Sequence, residues 1–316
     1  MFKKFREVWR GESAIVVSGI GNMDLCDTLE CGQAFRYEKI ISEESYVEYM
    51  TVVGDLLVRV GQRERGELIF LDITEEELDT VCVPYFALDL DFEEIRRDVI
   101  ARTDSEWLKS AAESAKGISI LRQEPWEALF SFIISQNNNI PRIRKIIRSL
   151  SLAYGKNLAE NRGLTRCPLG KTSSAPCEEA CAECGACYTF PRPEAVLAEP
   201  EKMLPSKPGF RYKYLLSAAE RVSSGETDLN KIADAKSYDY TLAELKKILG
   251  VGDKVASCVA LFGFSNLEAF PIDVWMKRAI DKYFGGSLDP KTLGKYAGVA
   301  QQYIFHYIRN LEGNDN

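Results

Sequence analysis

Gly250 and Gly252 interrupt the stretch TLAELKKILGVGDKVASCVALFGFSNLEAFPIDVWMKRAI (residues 241–280), which reads as helix on either side of them. Before them, Leu242, Leu245 and Ile248 recur at helical spacing; after them, Val255, Ala256 and Val259 form a second apolar face. Two glycines in three residues free the backbone to turn sharply and to approach a partner closely. The pattern predicts a helix, a tight Gly-Val-Gly turn and a second helix with Asp253 as its N-cap. Unpaired N–H groups at such a turn suit a phosphate.

Lys254 is out of place in that second helix. It falls in the first turn, where the macrodipole disfavours a cation. One account is a solvated lysine beside a phosphate. The other is an amine kept neutral so that it acts as a nucleophile. An ordinary lysine, with a pKa of ~10.4, is protonated and inert at neutral pH. A helix N-terminus and burial both favour the neutral form. Downstream, Pro271-Ile272-Asp273 opens a further helix, in which Asp273 on its own would be an N-cap.

Together, Gly-Val-Gly-Asp-Lys (250–254) and Pro-Ile-Asp (271–273) resemble the helix-hairpin-helix DNA glycosylases that carry a Gly/Pro-rich loop and a following aspartate. Within that superfamily the chain is most similar to the 8-oxoguanine DNA glycosylases. CGQAFRY (31–37), ISQNNNIPRI (134–143) and YAGVAQQYIF (296–305) carry the same resemblance. A hairpin alone occurs in many non-catalytic DNA-binding modules; the hairpin with lysine and aspartate is far more specific. The resemblance spans most of the chain except about residues 156–190 and the last few. It implies an α+β fold, with an N-terminal twisted antiparallel sheet domain (1–118) followed by an all-α helix-hairpin-helix glycosylase domain (119–316). The second domain would carry a Cys-rich insertion at about 160–190.

The residues themselves support that division. Ala14–Val17, Tyr46–Val53, Leu56–Gly61 and Glu67–Leu71 are short, β-rich and separated by Gly-containing turns, as in an antiparallel meander. Helical stretches follow at Glu75–Val81, Phe92–Ala101 and Glu106–Ala115, with a joint at Gly117-Ile118-Ser119. From Pro125 a helix is apolar nearly all round and so is expected to be central. It ends at Ser135 through Asn139; a second helix then sets Ile140, Ile143, Ile147 and Leu150 on one face. Pro205–Tyr214 is a loop leading into a helix that ends near Ser223. The last helix, Tyr296–Arg309, sets Gln301 and Phe305 on one face. His306 is the only histidine, which argues against a histidine triad or metal centre.

The 316-residue chain carries a net charge of −7, which counts against a general nucleic-acid binder. Its basic residues nevertheless gather at Arg142, Arg144, Lys145 and Arg148, and again at Lys207, Arg211 and Lys213. A local basic footprint on an acidic body is the expectation, with binding that weakens in salt. No targeting signal and no run of ~18 apolar residues is read, so a soluble, cytoplasmic protein of bacterial or archaeal type is expected, monomeric and away from membranes. Five of the nine cysteines crowd into residues 167–187. Cys177, Cys181, Cys184 and Cys187 have the spacing of metal ligands and would hold a structural zinc or an iron–sulfur cluster; the competing account is a loose thiol cluster. Relatives in the superfamily carry such a cluster beyond the aspartate, so that assignment does not carry over.

The resemblance assigns roles residue by residue. The partner would be double-stranded DNA containing an oxidised purine, with the base flipped out of the stack and no cofactor required for catalysis. Phe210 would fill the vacated gap, and Asn137, Arg142 and Arg211 would hydrogen-bond the orphaned cytosine. The Gly32 carbonyl would accept the N7–H that distinguishes the lesion from guanine. Gln301 would read the Watson–Crick edge, and Phe305 and Cys258 would sandwich the ring; for Cys258 a small core thiol is the competing account. Gly250 and Gly252 would meet the DNA backbone. Lys254 would attack the sugar C1′ to give a Schiff base, with Asp273 orienting the amine and offsetting positive charge on the sugar. Trp275 stands where eukaryotic members usually have histidine. The alternatives are a helix-hairpin-helix glycosylase for another damaged base, or a non-catalytic hairpin protein that binds DNA.

Overall fold

The computed structural model describes residues 2–159 and 185–312. Six antiparallel strands form one sheet in the order β1-β2-β6-β5-β4-β3. They are β1 (Lys3–Trp9), β2 (Glu12–Ser18), β3 (Tyr37–Glu43), β4 (Tyr46–Val53), β5 (Leu56–Gln62) and β6 (Glu67–Leu71). Two-residue loops join β1 to β2 and β4 to β5. Arg10 and Gly11 in the first, and Gly54 in the second, take the positive φ that tight hairpins require. Period-two alternation decides which side chains face which core. In β6, Leu68 and Phe70 join Val17, Val58 and Val60 on one face, while Ile69 and Leu71 join Ala14 and Val16 on the other. The first face is covered by Leu25 and Leu29 of α1 (Leu25–Glu30) and by Leu78, Cys82 and Phe86 from a helical stretch at 75–85 and its end. The two edge strands, β1 and β3, are not among the strands expected from the sequence.

The remaining chain is helical: α2 (Phe92–Ala101), α3 (Glu106–Ser114), α4 (Pro125–Ser135), α5 (Ile140–Tyr154), α6 (Pro193–Ala198), α7 (Tyr212–Ser223), α8 (Leu229–Ala235), α9 (Tyr238–Leu245), α10 (Asp253–Gly263), α11 (Val274–Tyr283) and α12 (Ala297–Glu312). As its composition demands, α4 is buried on nearly every side, with Ala128, Leu129, Phe130, Ile133 and Ile134 fully enclosed, and it packs against α10. By packing, α2 and α3 join this helical core through Ile95, Val99, Leu108 and Ala111, and both lean on α12. Among the described residues no helix is long and apolar enough to cross a membrane.

The strap from Gly117 to Gln123 ties sheet to helices. The fully buried Gln33 side chain donates to the carbonyls of Thr28 and Ser119, both at 2.8 Å, and accepts from the Leu121 N–H at 2.8 Å. Gln123 donates to the Gln33 carbonyl at 2.7 Å, and its own N–H reaches the Phe262 carbonyl at the end of α10. Nearby, Arg36 pairs with Glu127 of α4 at 2.8 Å, both side chains largely buried. Burial pushes the Glu127 carboxyl up, and Arg36 pulls it back. The result fixes Gly32, one residue before Gln33, relative to α4 and α10.

Candidate active site

The hairpin forms as its spacing predicts. α9 ends at Leu245, and Leu245 and Ile248 are buried. At Gly250 φ is +82°, and a Cβ there would lie 2.4 Å from Cγ of Tyr214, so both backbone and packing demand glycine. Gly252 is different: exposed, extended, and with nothing within 4 Å of where a Cβ would stand. It is also the N-cap of α10 in place of the expected Asp253. Asp253 is one residue inside the helix and points out, pairing with Lys246 at 2.5 Å. The cap side chain is therefore missing, and the first N–H groups of α10 open beside an exposed glycine.

Lys254 is half-buried in the first turn of α10. Its Nζ donates to Ser135 Oγ at 3.2 Å and lies 5.4 Å from the centre of the Phe132 ring. Ser135 in turn donates to the Phe132 carbonyl at 2.8 Å. One turn along α10, Cys258 is 5% exposed. Burial pushes its thiol up, with Lys254 opposing the rise and Asp273 adding to it. Asp273 does cap α11, accepting from the Met276 N–H at 2.9 Å. An amine, a carboxylate and a thiol thus share one corner between α4, α10 and α11.

Phe132 links that corner to a second cluster. Its ring meets Phe35 edge-on at 5.7 Å, and Phe35 belongs to the segment that carries Gly32. Gly32 has φ +91°, and a Cβ there would sit 3.2 Å from Ile140 and 3.6 Å from both Phe305 and Arg309. The half-buried Phe305 lies under the Arg309 guanidinium at 5.3 Å. One turn back on α12, Gln301 is 3% exposed and accepts from Gln302 at 2.7 Å. The structure therefore brings Gly32 and Phe305 together beside the corner that holds Lys254, Cys258 and Asp273, with Gln301 on the same helix as Phe305.

The third cluster borders the end of α4. Asn137 has φ +46°, and Arg142 is exposed in the first turn of α5, which Asn139 caps. Phe210 is 49% exposed, and its ring rests edge-on against Tyr214 at 6.0 Å. Arg211 is 3% exposed and lies under the Phe210 ring at 4.4 Å. It donates to the carbonyls of Gln136, Pro208 and Asn137. Burial lowers its pKa, and Arg142 lowers it further. Here Arg211 holds the Asn137 turn. The basic footprint is also narrower than expected, because Arg144 and Arg148 are drawn to Glu38 and Arg144 stacks over Tyr37. Arg142, Lys145, Lys207 and Lys213 are exposed.

The structure superposes on MBOgg1, solved in complex with a low-affinity DNA ligand, with TM-score 0.79 and 33% identity, covering 98% of this chain and 99% of that one. It superposes on the 8-oxoguanine glycosylase/lyase of Clostridium acetobutylicum, solved with double-stranded DNA containing cytosine opposite 8-oxoG. That match has TM-score 0.78 and 30% identity, covering 99% of this chain and 98% of that one. The chain belongs to the 8-oxoguanine DNA glycosylase family. Residues 15–129 match the family's N-terminal domain, described as "8-oxoguanine DNA glycosylase, N-terminal domain". The N-glycosylase/DNA lyase of Saccharomyces cerevisiae is 29% identical over 82% of this chain and 68% of its own length.

Within this glycosylase fold, Gln33, Ser135, Gln302 and Arg309 also border the site, although no role for them is read from the sequence. The first three lie inside motifs that carry the family resemblance, but only the folded neighbours reveal their bonds. Of the cysteine cluster, Cys177, Cys181 and Cys184 lie outside the described residues. Cys187 is fully buried, with its Sγ 3.8 Å from Met50 Sδ in a small apolar cluster with Val52, Leu57 and Leu158. Among the described residues no group of three or more His, Cys, Asp or Glu is placed to hold a metal.

Proposed function

We propose that this chain flips 8-oxoguanine out of duplex DNA, opposite cytosine, and removes it through a Schiff base on Lys254, followed by β-elimination 3′ to the lesion. The observation that carries this reading is the half-buried Lys254 amine, seated on Ser135 and the Phe132 ring one turn from the buried Cys258, within reach of the Gly32–Phe305 cluster through Phe132 and Phe35. Lys254 Nζ attacks C1′ as the base departs, and Asp273 offsets positive charge on the sugar. The Gly32 carbonyl accepts the lesion's N7–H, a contact that guanine itself cannot make. Phe305 and Cys258 flank the ring, and Gln301 reads its far edge. Phe210 fills the gap, while Asn137 and Arg142 stand on the side that would meet the orphaned cytosine. Arg211 would join them through its one remaining N–H, or through two by giving up a carbonyl it now holds. Gly250 and Gly252 set the hairpin against the backbone. The partner is double-stranded DNA, and the enzyme acts as a cytoplasmic monomer.

Lys254→Gln tests the assignment. Release of 8-oxoguanine should vanish while duplex binding persists, and borohydride should no longer cross-link protein to oxidised oligonucleotide. Unchanged release, or a cross-link that survives the substitution, removes Lys254 as the nucleophile. A lysine–aspartate pair beside a lesion pocket is more than a non-catalytic hairpin protein needs.

A structural zinc or iron–sulfur cluster on Cys177, Cys181, Cys184 and Cys187 is a separate proposal supported by ligand spacing. Metal analysis of purified protein, beside Cys181→Ser and Cys184→Ser, checks it. Metal-free wild-type protein ends it.

A further inference from the structure

Gln302 plays no part in the mechanism above, yet it is 4% exposed and carries the polar contact that touches Gln301. Its Nε2 donates to Gln301 Oε1 at 2.7 Å, while its own Oε1 is buried without a partner. A buried amide left half-satisfied in a helix is costly, so it calls for an explanation. Of the two amide ends, a carbonyl oxygen is the less costly one to leave unmet.

We infer that Gln302 is a specificity-determining positioning residue: by donating to Gln301 Oε1 it locks the polarity of the Gln301 amide in the sense that matches a 6-oxopurine and mismatches a 6-aminopurine. This rests on the proposed reading of Gln301 as the residue that meets the Watson–Crick edge. A carbonyl oxygen has two acceptor sites, and an amide nitrogen two donors. With one Oε1 site taken by Gln302, the other still accepts a purine N1–H, and the Gln301 NH2 remains to donate to O6. An oxidised guanine offers that acceptor–donor pair. An oxidised adenine offers the reverse, an N6–H donor beside an N1 acceptor, and would need the Gln301 amide rotated by half a turn. Rotation would turn the Gln301 NH2 towards the Gln302 NH2, donor against donor, and a compensating half-turn of Gln302 would leave its NH2, the costlier end, buried where its Oε1 now has no partner.

The test compares excision of 8-oxoguanine and 8-oxoadenine from otherwise identical duplexes by wild type, Gln302→Met and Gln302→Glu. Met keeps the length and removes the donor. Its ratio of 8-oxoguanine to 8-oxoadenine release should fall by about tenfold or more, as expected for a freed amide that no longer leaves a mispaired polar group. Glu donates when protonated and only accepts when ionised. Its ratio should be lower than wild type and fall further as pH rises, a limb that wild type lacks. Binding to duplex with an abasic-site analogue should stay within about threefold in both, since the fold and hairpin are untouched. A ratio unchanged within about twofold in both variants overturns the inference. If wild-type protein releases no 8-oxoguanine, the proposed function fails instead, and the two failures are distinct.

Discussion

Only Val251 separates Gly250 from Gly252 in the hairpin, yet alanine should affect different properties at the two positions. At Gly250 the backbone has φ +82°, which costs a residue with a Cβ about 1–2 kcal/mol. The new Cβ would also lie 2.4–2.6 Å from Cγ and both Cδ atoms of the Tyr214 ring. Those atoms are at the root of the ring and cannot swing clear without moving the whole side chain, an overpacking cost of about 1–3 kcal/mol. The sum, about 2–5 kcal/mol, corresponds to a fall in melting temperature of about 3–8 °C for a chain of this size. Tyr214 supports Phe210 edge-on, so the displaced ring should also loosen the wedge. Gly252→Ala meets empty space at an ordinary φ of −96° and should leave the melting temperature within about 1 °C. Its effect should appear in duplex affinity, because the methyl group would stand where a phosphate approaches the first N–H groups of α10. Thermal unfolding followed by circular dichroism, and fluorescence anisotropy with a labelled lesion duplex at fixed salt, separate the two. Equal thermal losses in both variants would refute the steric argument. Full duplex affinity in Gly252→Ala would refute contact between this turn and the DNA backbone.

Two further outcomes follow from buried polar groups. Burial first, and Asp24 next, raise the Asp27 carboxyl to about 6, against the opposing pull of Arg65. The native state therefore holds a proton that the unfolded chain releases near pH ~4, and stability should fall as pH rises from about 4 to about 6. Asp27→Asn should flatten that fall and raise the melting temperature at pH ~8 relative to pH ~4; an unchanged pH dependence would show that Asp27 is not its source. Gln33→Leu leaves the buried Ser119 carbonyl and the Leu121 N–H unmet at about 1–3 kcal/mol each, while the Thr28 carbonyl keeps Cys31 Sγ. It should lower the melting temperature by several degrees and reduce lesion release more than duplex binding, because the strap that seats Gly32 is what it loosens.

What could be read from the residues alone follows the range of the interactions. The hairpin, Asp273 as a cap and the enclosed α4 depend on neighbours within a few turns, and each formed as its spacing implied. β4, β5 and β6 announced themselves by alternation and glycine turns. β1 did not, because an edge strand with one partner keeps Lys4 and Arg6 in solvent, where they meet Asp79 and Glu75 from a distant helix. α2 and α3 showed amphipathic faces, but a face carries no label saying which core it will join, and theirs joined the helical one. Long cations were the least legible. Arg144 and Arg148 read as part of a basic footprint, and the resemblance gave Arg211 to the orphaned base, yet Glu38 and the carbonyls of Gln136, Pro208 and Asn137 bind them in the fold. For Arg211 that difference bears on chemistry. A guanidinium with four of its five N–H donors on three carbonyls has one Nη1–H left, so it can read an opposing base through two donors only by exchanging one of those bonds. The Asn137 turn, held at φ +46° by the same contacts, would then move with it. Base reading and loop shape at this position are thus one linked equilibrium, which no motif match displays.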